Sequence, residues 1–150
     1  MDQTLIDFLK NRTPKYCALA SSSPEGQPSC HIMAYAITDE GELLFNTAVH
    51  SRKYDNFRRN PFGAVTVGWE KGQGQMNIQI EGSVALLGDL DVSYPYLQDI
   101  FYGQNPELSF FRSLTDHGFL RLKPLWVRTT DFSSSPPAIS EYDLAAPENV

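Results

Sequence analysis

Residues 76–87, MNIQIEGSVALL, alternate strictly at first, with Met76, Ile78 and Ile80 set against Asn77, Gln79 and Glu81. A period of two belongs to a strand with one face buried and the other open, and no helix satisfies it. The rest of the chain repeats the theme as short apolar runs between turn signals. YCALAS (16–21) and CHIMAYAI (30–37) flank SSPEGQPS, a turn too long for a two-residue hairpin loop. DEG (39–41) leads into ELLFN (42–46), so the first three runs form a meander. GAVTVGW (63–69) precedes the exposed glycine-rich link KGQGQ (71–75), and GFLRLKPLWVRTTDF (118–132) closes the series. Pro124 inside that last run calls for a sheet edge or a bulge.

Helical patterns fall between the strands. Leu5, Ile6, Phe8 and Leu9 give a short N-terminal helix one apolar face, and Pro14 stops it. Residues 49–59 place Val49, Lys53, Tyr54 and Phe57 along one side, and Asn60-Pro61 ends the run. One or two further helices are expected over 90–102 and 106–114. Their aromatic side chains, Tyr94, Tyr96, Phe101, Tyr102, Phe110 and Phe111, are read mainly as core or dimer contacts, with one or two over a bound ligand. Six mostly antiparallel strands with helices at the connections make a mainly β, α+β chain: a small closed or split barrel with peripheral helices. The domain spans residues 1–132. The polar, proline-rich run 133–150 is expected to be an extended or disordered tail unless it packs on a partner.

Composition narrows the function classes. A net charge of -6 and a sequence pI near 4.9 argue against a nucleic-acid-binding face, which phosphate backbones select to be basic. No apolar run approaches the ~18 residues of a membrane span, and the N-terminus has no basic n-region, so a cytoplasmic protein is expected. The two cysteines, Cys17 and Cys30, sit in separate apolar stretches without C-x-x-C spacing and read as two buried thiols in a reducing compartment. The three histidines are not at metal-ligand spacing, and no metal is expected. A hydrolase has no foothold, because no G-x-S-x-G elbow is present.

One segment stands against this acidic background. NTAVHSRKYDNFRRNP (46–61) puts four of the twelve basic residues, Arg52, Lys53, Arg58 and Arg59, within eight positions. Arg52 and Lys53 fall at a helix start, where the macrodipole disfavours cations. Asn46 and Thr47 end the preceding strand, and Ser51 stands where an N-cap belongs. Free backbone N–H groups, a hydroxyl and two cations together make an anion site, and a phosphate matches it in charge and acceptor count. The alternative is that both cations simply point into solvent. His50 is open between a phosphate contact when protonated, a stacking role at an interface and a partly exposed loop residue without a role. His31, on a half-buried strand, reads as packing.

The order G-E-L-L-F-N-T-x-x-H-S-R-K-x-x-N-x-R-R-N-P-x-x-A-V, followed by I-Q-I-E-G-S-V, resembles the pyridoxamine 5′-phosphate oxidase-like, FMN-binding split-barrel superfamily. The hairpin around SSPEGQPS is similar to that superfamily's opening hairpin, and the match runs from about Tyr16 to Leu87. The resemblance implies a homodimer of six-stranded split barrels with two FMN sites at the subunit interface and a small-molecule substrate. Carried over by position, Arg52 and Lys53 hold the FMN phosphate, with Ser51 and Thr47 adding hydroxyls beside Asn46. His31, Ile32, Met33 and Ala34 line the isoalloxazine ring. Asn77 and Gln79 reach the flavin from a neighbouring position or from the other subunit, and Trp126 and Arg128 close the site.

Departures from the pattern limit the activity. In the oxidases proper the flavin-lining strand begins with Arg and ends with Lys, and Cys30 and Tyr35 stand there instead. The segment DLDVSYPYLQDIFYGQNPE replaces the substrate-phosphate residues. Vitamin B6 oxidation is therefore not expected, and the chain looks closer to the short, general-stress-protein-like members. An FMN-dependent oxidoreductase is the first reading. Two alternatives are an F420-dependent reductase, disfavoured by the few cations available for its long anionic tail, and a non-catalytic stress protein that stores or senses flavin or haem.

Overall fold

The computed structural model describes residues 1–68 and 75–144. In chain order the elements are α1 (Gln3–Lys10), β1 (Tyr16–Ser22), β2 (Pro28–Ala34), β3 (Ala36–Ile37), β4 (Leu43–Ala48), α2 (Arg52–Arg59), β5 (Phe62–Val67), β6 (Met76–Leu87), α3 (Tyr94–Gln104), a 3-10 helix (Pro106–Ser113), β7 (His117–Asp131) and β8 (Ala138–Asp143). All strand pairs are antiparallel, and the sheet runs β2-β1-β5-β6-β7-β4-β3, with β8 also on β7. β2 and β3 stand at opposite ends of that path, yet only Tyr35 separates them in the chain. The sheet must therefore curl until its two ends meet at Tyr35, which is the split barrel expected.

The run 30–37, read as one strand, changes partner at that residue: β2 pairs with β1, and β3 with β4. Tyr35 is fully buried and anchored on three sides. Its hydroxyl donates to the Leu9 carbonyl (2.8 Å), its N–H to the Lys15 carbonyl (3.1 Å), and its own carbonyl accepts from Asn105 Nδ2 (2.9 Å). The strand count accordingly differs from six: β3 is split from β2, and β8 is added. Within the run expected as an extended or disordered tail, Ala138–Asp143 form β8 on β7, because β4 leaves the second half of that long strand unpaired. Residues 145–150 lie outside the described residues, as do Trp69 of the fourth predicted strand and most of the glycine-rich link.

Inward side chains from every wall fill the barrel, among them Leu19, Phe45, Val65, Ile78, Ile80 and Leu122, and α1 plugs one end with Leu5, Ile6 and Leu9. A second apolar cluster lies outside, where Leu97, Phe101 and Tyr102 of α3 cover Ala36, Leu44 and Phe119. Gln104 fixes the end of α3 by mimicking a neighbouring strand: its Oε1 accepts from the Ile37 N–H (2.9 Å) and its Nε2 donates to the Ile37 carbonyl (2.8 Å). Pro124 sits at a bulge, the second of the two expectations for it. The β6–β7 register shifts between Glu81 and Gly82, leaving Leu125 as the extra residue, and a side-chain carbon on Gly82 would collide with the Lys123 carbonyl.

Candidate cofactor site

Helix α2 crosses from the end of β4 to the start of β5, and its buried side holds it there. Tyr54 lies against Gly118 and Phe57 against Gly63, while Asn56 Nδ2 donates to Ser21 Oγ (3.0 Å). Ser51 is the N-cap: its backbone is extended and its Oγ accepts from the Tyr54 N–H (3.3 Å). Thr47, buried at the end of β4, brings its Oγ1 to 3.3 Å from Ser51 Oγ. Two hydroxyls thus meet at the helix N-terminus, with Arg52 and Lys53 in the first turn.

The four cations of α2 divide by position. Arg58 and Arg59, at the C-terminal end favoured by the dipole, pair with Asp55, and Arg59 also reaches Glu25 at 4.0 Å. Among the described residues, Arg52 and Lys53 make no ion pair. Arg52 is exposed. Lys53 is half-buried, and loss of solvent pushes its ammonium below the ordinary lysine range. An anion beside it would reverse that push. These residues fit a phosphate group in donors, charge and exposure.

Thr47 also belongs to a cavity of about 230 Å³ beneath α3 and the 3-10 helix. Met33 and Ala34 at the end of β2 and Asn46 in β4 form its strand wall, and Phe101, Tyr102 and Phe111 form its helical wall. Asn46 is held in place, its Nδ2 donating to the Gly118 carbonyl and its Oδ1 accepting from the Tyr102 hydroxyl, both at 3.4 Å. Burial raises the Tyr94 and Tyr102 hydroxyls above the ordinary phenol range, with Asn46 opposing it at Tyr94. Leu108 and His117 were not anticipated as lining residues. His117 enters because it pairs with Ala48 in the β4–β7 register, a relationship 69 positions apart in the chain that no local motif announces.

The remaining expected residues lie elsewhere. Directly paired residues share a sheet face, so one row crosses the outer surface as Ile32, Ala18, Thr66, Gln79, Arg128 and Glu141, and the next as Cys30, Ala20, Ala64, Glu81, Trp126 and Asp143. Ile32, Gln79, Trp126 and Arg128 therefore form a second group, on a face that α3 leaves uncovered. Hollows of about 470 and 210 Å³ open there over the small side chains of Ala18, Ala20 and Ala64. Ile32 is 73% and Phe62 60% exposed. Asn77 is occupied, its Nδ2 donating to Thr66 Oγ1 (2.9 Å) and the Val67 carbonyl (3.2 Å). His31 is exposed on the edge strand β2, not packed, because no strand covers its outer side. His50 is exposed as well.

Cys17 is buried as expected, but Cys30 is exposed, because β2 ends the sheet path and the outer face there is uncovered; Tyr35 is locked inside the barrel wall, so neither Cys30 nor Tyr35 can replace the Arg and Lys of the oxidase pattern. Among the described residues, no group of three or more His, Cys, Asp or Glu is arranged to hold a metal ion, and no helix is long and apolar enough to cross a membrane.

Comparison with known proteins agrees with this architecture. The chain is 29% identical over 96 residues to a pyridoxine/pyridoxamine 5′-phosphate oxidase of Chromobacterium violaceum, covering 64% of this chain and 41% of that protein. It thus spans about two fifths of the length of the curated relatives it matches. Among solved structures it superimposes with a TM-score of 0.68 and 16% identity on a pyridoxamine 5′-phosphate oxidase-related, FMN-binding protein of Nostoc punctiforme, covering 93% of this chain and 89% of that one. General stress protein 26 of Bacillus anthracis gives a TM-score of 0.66 at 15% identity, covering 93% and 100%. The haem storage protein HutZ of Vibrio cholerae gives 0.68 at 14%, covering 81% and 89%. Likenesses this distant establish the fold. The family model described as pyridoxamine 5′-phosphate oxidase matches residues 1–131, and the chain belongs to that family.

Proposed function

We propose that this chain is an FMN-binding flavoprotein that works as an oxidoreductase on a small organic molecule and is not a pyridoxamine phosphate oxidase. The observation that carries the reading is the contrast within α2: Arg58 and Arg59 have carboxylate partners, whereas Arg52 and Lys53, beside the Thr47–Ser51 hydroxyls, have none among the described residues. A phosphomonoester supplies the missing charge and accepts from both hydroxyls. The cavity beside Thr47 then lies next to the flavin, with Met33, Ala34 and Asn46 along it.

The separation of the site residues into two groups supports a homodimer. Gln79, Trp126 and Arg128 face away from the α2 terminus of their own chain on an uncovered surface with a small-residue floor. A second copy seated on that surface brings them to its own flavin. Flavin, when bound, supplies the electron transfer; the chain's residues bind and orient it. Cys30 and Tyr35, standing where the oxidase pattern has Arg and Lys, support excluding vitamin B6 phosphates as substrates. One buried and one exposed free thiol suit a reducing, cytoplasmic setting.

A second reading is haem binding, favoured by one observation: His117, the single histidine on the cavity, is partly buried with Nδ1 2.9 Å from the Thr115 carbonyl, which leaves Nε2 for a ligand. The visible spectrum of the purified protein, treated with excess FMN or haemin and then desalted, separates the two. Retained flavin absorbance supports the first reading, and a Soret band with no flavin overturns it in favour of the second.

A further inference from the structure

Every residue of β8 is exposed, including Ile139 at 53% and Tyr142 at 40%, and the strand adds no residue to either apolar cluster. Among the described residues it pairs with β7 alone, from Trp126 opposite Asp143 to Asp131 opposite Ala138. Just beyond, the Leu144 N–H donates to the Leu125 carbonyl (2.8 Å). Over the same stretch β7 keeps β6 on its other side, with Met76 opposite Asp131 and Glu81 opposite Trp126. Departure of β8 therefore leaves the barrel wall paired, and no buried apolar surface opposes it. An element held by backbone hydrogen bonds at the surface, without a share in the core, belongs to the low-stability end of a fold.

The side chains of β8 add one specific tie. Directly paired residues share a face, so Glu141 and Asp143 stand beside Arg128 and Trp126 on the outer surface. Arg128 Nη1 lies 3.7 Å from Glu141 Oε1, with both side chains partly in solvent. On its other side Arg128 has the uncharged Gln79. A solvated pair of this kind shifts an equilibrium by only about two- to fivefold, so a competing anion can displace it. An anion that takes Arg128 leaves Glu141 without its cation and loosens β8. By linkage, loosening β8 strengthens anion binding at Arg128 by the same factor.

We propose that β8 is a strap that opens without unfolding the barrel, latched by the Glu141–Arg128 ion pair, and that its opening frees Arg128 for an anionic group on the outer face. That this group belongs to the flavin of a second copy rests on the flavoprotein reading above; the latch does not.

The test is amide hydrogen exchange of the full chain, followed by mass spectrometry at about 0.05 and 0.5 M NaCl, with and without excess FMN. It compares the unaltered chain with Glu141→Gln, Arg128→Gln and the double variant. Amides of β8 are expected to exchange at least about tenfold faster than those of residues 76–81 in β6. At low salt each single substitution should speed exchange in β8 by about two- to fivefold and leave β6 unchanged, with the double variant no faster than either single one. High salt should give the unaltered chain the same increase and have no such effect on Glu141→Gln. Exchange of β8 in step with β6 overturns the strap, and single effects that are absent, or that add in the double variant, overturn the latch. FMN is expected to speed β8 exchange in the unaltered chain and not in Glu141→Gln; FMN retained through desalting without that effect overturns the coupling to the ligand. If β8 responds to the substitutions and to salt but the chain retains no FMN, the strap and its latch stand and the flavin reading falls.

Discussion

Thr47 Oγ1 and Ser51 Oγ lie 3.3 Å apart, joining the last turn outward from β4 to the first turn of α2. That pair places hydroxyls where the free N–H groups of the helix converge, and Arg52 and Lys53 follow immediately. The arrangement makes capping and ligand binding separable by experiment. Replacing Ser51 with Asp retains an equally good N-cap but puts a negative charge beside the phosphate position. Ser51→Asp is expected to leave the melting temperature close to that of the unaltered chain while lowering FMN affinity about tenfold or more. Ser51→Ala, by contrast, should cost about 1 kcal/mol of stability in denaturant titrations.

Lys53 offers a prediction with a definite pH sign. Its folded pKa lies below its ordinary value of 10.5 because of burial. The unfolded chain therefore holds this proton more tightly, so the charged amine opposes folding at neutral pH, and the opposition fades as pH rises through the folded pKa towards 10.5. Lys53→Met should be as stable as the unaltered chain or more so at pH 7, with the difference shrinking in alkaline solution, as chemical denaturation across pH will show. FMN affinity of the unaltered chain should fall over the same alkaline window, and Lys53→Met should abolish that dependence.

Gly82 is fixed by the bulge. A methyl group there meets the Lys123 carbonyl and the Leu122 side chain, with backbone on one side unable to give way. Gly82→Ala is expected to destabilise the fold by about 1–3 kcal/mol, the range for overpacked sites, measured by urea denaturation.

The strands and helices were legible where a local pattern decides them. The alternation of 76–82 places Ile78 and Ile80 inside and Gln79 and Glu81 outside, and Ser51 and Asn60 mark the ends of α2. Closure of the barrel was not legible, because the partner change at Tyr35 depends on strands far apart in sequence. The same reason hid His117 and Leu108 from view, and hid the fact that Gln79 and Trp126 occupy a different face from Thr47. Asn77 shows the limit of carrying roles over by position, since its amide is taken up by Thr66 and the Val67 carbonyl.

The uncovered outer face predicts an assembly. Ala64 lies in both hollows of that face, between Ala20 and Glu81 in the cross-sheet row. Ala64→Arg is expected to convert a dimer into a monomer by light scattering while circular dichroism stays unchanged, and to weaken FMN binding as the second copy's Gln79, Trp126 and Arg128 depart. An unaltered chain that is already monomeric at micromolar concentration contradicts this part of the account.

The most direct measurement compares FMN with riboflavin, which differ only in the phosphate, by calorimetry on the unaltered chain and on the Arg52→Ala, Lys53→Ala double variant. The account predicts that FMN binds at least about tenfold more tightly than riboflavin to the unaltered chain, and that this advantage disappears in the double variant. Equal affinities for the two flavins in the unaltered chain, or an FMN advantage that survives both substitutions, would contradict the phosphate site at the start of α2.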